Sequence, residues 1–173
     1  MGAATIPMDE NEKQPWSPKV YVATIGIGGG ADRADGPGQT LRDEQATEAE
    51  RTYTTFQHLV GLTSMIDGMG FLGLIGSIIM WRIKADESPF YDDHGRETVN
   101  FQISLLIYLF GGGIILGLFT LITFGLGAII AVPLMILGTL FLIVIRLVGC
   151  IRGSIAANKG EYYRYPMCMR FLV

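Results

Sequence analysis

From Phe101 to Ile145 this 173-residue chain carries no Asp, Glu, Lys or Arg. Continued to Ile151, such a stretch would measure roughly 76 Å as one helix, more than twice the thickness of a hydrocarbon core. It must therefore fold back. Two transmembrane helices follow, at about 100–123 and 127–151, because a backbone in lipid has to satisfy its own hydrogen bonds. The turn is expected at Thr123-Phe124-Gly125-Leu126-Gly127, where two glycines can stop a helix. Pro133 then falls inside the last helix and is expected to kink it.

The rest of the composition agrees with lipid. Apolar residues make up 50% of the chain and charged ones 17%, below the quarter or so usual in soluble domains. Thirteen basic against sixteen acidic residues leave a net charge of −3, which supplies no basic footprint and argues against nucleic acid as a partner. The two cysteines, Cys150 and Cys168, read as free thiols. The first fifteen residues have neither a basic start nor an apolar run, so no cleavable signal peptide is expected.

Residues 1–39 read as an extended Gly/Pro-containing tail with one short β-like run, Val20 to Ile25. Gly26-Ile-Gly28-Gly-Gly-Ala31 imitates a dinucleotide fingerprint. Asp35-Gly36-Pro37-Gly38 follows where the fingerprint needs a helix, so no nucleotide or other cofactor is expected.

Thr40-Leu-Arg-Asp43 has the form of a capping box and predicts an amphipathic helix over 40–58, with Ala46, Ala49, Tyr53, Phe56 and Val60 on its apolar stripe. From Leu59 to Ile83 the charges are Asp67 and, next to the end, Arg82. One helix there reaches roughly 37 Å and can cross a bilayer. Its apolar residues, at about −0.3 to −0.6 kcal/mol each, are opposed by one carboxylate at about +2.5 to +3.5 kcal/mol. Two readings follow: a third transmembrane span at 59–83, or a re-entrant hairpin turning at Asp67-Gly68-Met69-Gly70. The fold expected is an all-α integral membrane protein of three transmembrane helices, the first alternatively such a hairpin, behind the amphipathic helix and the tail.

With three crossings, the loop after the first span and the C-terminal tail (152–173) share one face, which collects Arg82, Lys84, Arg96, Arg152, Lys159, Arg164 and Arg170. The positive-inside rule makes that face cytoplasmic. Arg146, Arg152, Lys159, Arg164 and Arg170 are the candidates for lipid headgroups, with Arg146 snorkelling outward. Trp81, Tyr162, Tyr163 and Tyr165 form an interfacial aromatic belt.

Asp67 is the intramembrane polar candidate for an ion path. Three spans would leave it too far from Arg146 to pair. Gly70, Gly73 and Gly76, and the Gly113/Gly117 pair, present smooth helix faces for close packing, within the chain or against another subunit. Asp92, Asp93, His94 and Glu97 do not make a convincing metal set without a second ligand cluster. One of the two aspartates is instead expected to cap the next helix, with Glu97 in its first turn. Asn100 and Gln102 should hydrogen-bond to neighbours. His58 and His94 fall on opposite membrane faces if three spans hold, and no catalytic constellation is seen.

Three stretches carry a resemblance that covers residues 56–173. They are His58-Leu-Val-Gly61-Leu62, the segment from Trp81-Arg-Ile-Lys84 through Pro89-Phe90-Tyr-Asp92-Asp93-His94-Gly95 to Asn100-Phe101-Gln102, and Ala156-Ala-Asn158-Lys-Gly160-Glu-Tyr162-Tyr-Arg164-Tyr-Pro166. In their order and spacing they resemble a bacterial domain-of-unknown-function family related to a membrane component of the chloroplast inner-envelope (Tic) translocon, to which some magnetosome-membrane proteins are also similar. Gly76-Ser77 stands where that family tends to have Gly-Pro. The resemblance implies a small helical protein of the bacterial inner membrane with no agreed activity. The function expected is therefore a non-catalytic accessory or scaffolding subunit, contacting lipid and other membrane subunits through residues 1–40 and the glycine faces. The alternative is a small channel or translocation helper.

Overall fold

The structure, a computed structural model, describes residues 42–43 and 45–172. The expected tail over 1–39, its β-like run and its glycine fingerprint lie outside them. Every regular element among the described residues is helical: α1 (Glu48–Val60), a 3-10 turn (Gly61–Thr63), α2 (Ser64–Asp67), α3 (Phe71–Lys84), α4 (Pro89–Ile122) and α5 (Ala128–Asn158).

α1 begins later than the sequence suggested. A capping box does open it, but at Thr47, whose side chain accepts from the Glu50 amide while the Glu50 carboxylate accepts from the Thr47 amide. Arg42 and Asp43 instead lie against the C-terminal tail, Arg42 in an isolated antiparallel backbone bridge with Glu161 and the Asp43 amide donating to Gly160 O.

Among the described residues two helices, not three, are long and apolar enough to cross a membrane, α4 and α5. The segment 59–83 breaks for a reason visible in its own residues. Gly68 and Gly70 take positive φ, +65° and +101°, which a side chain would oppose. The Asp67 carboxylate accepts from the amides of Gly70, Phe71 and Leu72, so it supplies the hydrogen bonds that the start of α3 lacks. α3 has 14 residues, about 21 Å, short of a bilayer. The chain thus descends through α1 and α2, turns at Asp67–Gly70 and returns along α3. Asp67 is a helix cap at that turn, not a charge in the middle of a span.

The turn between the two spans falls where the glycines put it, with Phe124 and Gly125 at positive φ between the end of α4 and the start of α5. Thr123 closes it, its hydroxyl accepting from the Gly127 amide. Pro133 sits inside α5, which continues through it as one helix. Near this turn only α4 and α5 remain among the described residues, and their apolar side chains are exposed: Ile114, Ile115, Leu121, Phe124 and Ile129 among others. At the opposite end the 3-10 turn, the first half of α4, the last half of α5 and the tail enclose a core of Phe101, Leu105, Cys150 and Tyr165. Two crossings put α1 and the tail on one side of the bilayer, so the described N-terminal part need not be carried across.

Candidate functional site

The buried polar residues gather at this membrane-proximal end. Along α4, Asp93, Glu97, Asn100, Ser104 and Tyr108 recur at steps of four and three, which places them on one helical face. The tail lies along that face, tied to each residue in turn. Asp93 forms a two-pronged pair with Arg164, both N···O distances 2.6 Å, with the two side chains 6% and 10% exposed. Glu97 accepts from the Tyr165 amide at 2.8 Å and faces Arg170 at 3.4 Å. Asn100 accepts from the Phe171 and Leu172 amides and donates to Leu172 O, imitating a strand partner. Ser104 accepts from the Met169 amide, and the Tyr108 hydroxyl donates to Met167 O.

Arg164 and Arg170 are therefore engaged with α4 carboxylates, Arg164 nearly out of solvent and Arg170 partly exposed. Arg152 and Lys159 are exposed. Tyr165 is not in an aromatic belt either: it is 3% exposed and stacks on Phe101 with ring centroids 3.9 Å apart. Tyr162 and Tyr163 are half-buried, Tyr162 stacking on His94. The half-buried Trp81 donates its indole N–H to Asp92. Asp92 also pairs with Arg96, and Ser88, not an aspartate, caps α4. Glu97 is likewise not a first-turn helper but a buried acceptor for the tail.

His58 and His94 share one face, contrary to the three-span expectation. His58 Nε2 lies 2.8 Å from His94 Nδ1, and His58 Nδ1 lies 2.7 Å from the Tyr165 hydroxyl. The hairpin brings them together, since α1 is on the same side as the start of α4. Gly153 allows the approach, because a Cβ there would stand 2.6 Å from His58 Nδ1.

His58 is fully buried, and burial lowers its pKa from the ordinary 6.5 to about 3. Such a base takes up its proton more readily when unfolded, so stability is complete above about pH 6.5 and falls as pH drops from there toward 3. Between pH 7 and 5 the loss should be about 2 kcal/mol. Unfolding of the purified protein in detergent, followed against pH, checks this: His58→Gln should reduce the dependence across that window, leaving the part that the equally buried His94 contributes.

The first glycine set packs inside the chain. A Cβ on Gly73 would meet Ser64 and Gly61 O, one on Gly76 would meet Val60, and one on Gly70 would meet Arg146 and Leu106. Gly117 has open space around it, and Gly113 approaches only the tip of Met135. Arg146 lies at the level of the hairpin turn, beside Gly70, although no ion pair joins it to Asp67 among the described residues.

The α4 ladder and the histidine contact were missed by sequence reasoning. A signal for the ladder was available in the spacing of 93, 97, 100, 104 and 108. The histidine contact depended on the hairpin. Among the described residues no group of three or more His, Cys, Asp or Glu side chains is arranged to hold a metal ion. The network joins elements of the chain to one another. Residues 49–172 match one family model, described as the MamF/MmsF magnetosome magnetite crystal formation protein family. No curated protein and no solved structure matches.

Proposed function

Because this chain belongs to the magnetosome magnetite crystal formation protein family, we propose that it is a non-catalytic membrane subunit of magnetite formation, a scaffold that other membrane components dock onto. The supporting observation is where its polar groups are used. Asp93, Glu97, Asn100 and Ser104 hold the C-terminal tail against α4, leaving a rigid membrane-proximal body on two lipid-facing helices. Such a body suits presentation of a fixed surface better than turnover. In this reading Gly113 and Gly117 receive a helix of another subunit, and residues 1–40 extend the docking surface. The basic residues at the proximal end, Arg82, Arg152 and Lys159, favour the cytoplasmic side for α1 and the tail, in the inner membrane or a compartment derived from it.

Removing the chain from a magnetite-forming cell should alter crystal size or shape while membrane vesicles still form. Unchanged crystals would refute the reading. Recovery of a lone chain after mild detergent extraction, with no co-purifying membrane protein, would refute the docking part alone. A translocation role is the second reading, prompted by Asp67, and its use as a helix cap weakens it. In reconstituted vesicles Asp67→Asn should leave ion flux unchanged.

A further inference from the structure

We propose that the cavity at Arg146 binds the phosphate of an anionic phospholipid. The cavity, about 110 Å³, lies between the hairpin turn and the two spans, lined by Ser64, Gly68, Leu109, Thr139, Leu142 and Arg146 among others. That is near the scale at which a protein cavity admits a benzene-sized guest. Arg146 is 9% exposed, its Nε is buried without a hydrogen-bond partner, and it joins none of the ion pairs of the described residues. The nearby carboxylate, Asp67, is committed to three amides of the hairpin turn and α3. A buried guanidinium left in this state is costly unless an anion joins it.

Position selects the anion. Arg146 lies about 9 Å deeper along α5 than the exposed Arg152, and about 27 Å from Ala128 at the far end. In a core of about 30 Å it stands just inside the proximal boundary, within reach of lipid phosphates. The cavity is bordered by Met65 and Gly68, both exposed, and the surface beside it carries Ile66, Met69 and Leu72 in the open. A phosphate arriving with its acyl chains can leave those chains on this apolar surface, whereas a free phosphate has to cross it. The guanidinium offers paired donors that match phosphate geometry, and the Thr139 side chain adds a hydroxyl to the lining.

The test uses the full-length chain in vesicles mixing phosphatidylcholine with phosphatidylglycerol, extracted gently and weighed intact by native mass spectrometry. The wild type should retain one phosphatidylglycerol over phosphatidylcholine by roughly fivefold, the equivalent of about 1 kcal/mol for one charge. Arg146→Gln should lose the preference, while Arg152→Gln at the exposed position keeps it. Should Arg146→Gln fail to fold, Thr139→Phe fills the cavity with the charge retained and should lose the lipid as well. Equal retention of both lipids by the wild type would overturn the proposal, as would preference persisting in both cavity variants. Displacement of the lipid by inorganic phosphate would overturn the lipid assignment and leave a free-anion site.

Discussion

Asp93→Ala should destabilise the protein by about 3–5 kcal/mol, the usual cost of removing one partner of a buried ion pair. The pair qualifies on geometry, since Arg164 reaches both carboxylate oxygens at 2.6 Å and both side chains are nearly out of solvent. The loss leaves a guanidinium in a site built for an anion, with Glu97 nearby as partial compensation. Asp93→Asn should cost less than Asp93→Ala because it keeps the shape and part of the hydrogen bonding. A double replacement, Asp93→Leu with Arg164→Met, should recover much of the loss, because the uncompensated charge is gone. Unfolding in detergent gives the magnitude. Amide exchange gives the location: protection should fall first at Tyr165, Met169 and Leu172, whose amides are held by Glu97, Ser104 and Asn100. A loss spread evenly over α1 to α5, with the tail still protected, would contradict the assignment of the pair to tail docking.

What was legible in the sequence follows from which signals are local. The two spans and their turn were written in one uncharged stretch and two glycines, and length alone decided between one crossing and two. The segment 59–83 was different, because its hydropathy sums to nearly nothing and the outcome rested on hydrogen bonds. Asp67 can offer acceptors to three amides only once Gly68 and Gly70 adopt positive φ, and a hydropathy sum has no place for that. One further error followed from the hairpin. Counting three crossings put His58 and His94 on opposite faces, and two crossings bring them within 2.8 Å. Arg164 and Arg170 were read by residue type as headgroup binders. Their partners, Asp93 and Glu97, lie about seventy positions away in sequence, and periodicity along one helix does not reveal what a distant tail lays against it. The polar steps at 93, 97, 100, 104 and 108 did mark a face needing partners. In a stretch entering lipid, such a face has to be covered by protein.

The two glycine sets should respond in opposite ways to the same substitution. Gly73→Ala is expected to cost about 1–3 kcal/mol, as overpacking does in a close-packed site. The new Cβ would run into Ser64, whose hydroxyl can turn away, and into Gly61 O at 2.7 Å, which is backbone and cannot move without displacing the 3-10 turn. That oxygen decides the sign. α3 must back away from the 3-10 turn and α2, against which it closes. Gly117→Ala meets no atom within 4 Å and should leave the isolated chain as stable or slightly more so, since alanine is favoured over glycine inside a helix by up to about 1 kcal/mol. Unfolding of each purified variant in detergent reads this contrast, and an equal cost at both positions would refute it. A larger side chain extends the comparison. Gly117→Leu should also leave the isolated chain folded, yet weaken co-purification of any subunit whose helix packs on that face. If Gly117→Leu retained every partner that the wild type retains, Gly117 would have no role in docking, and its open surroundings would be filled by lipid alone.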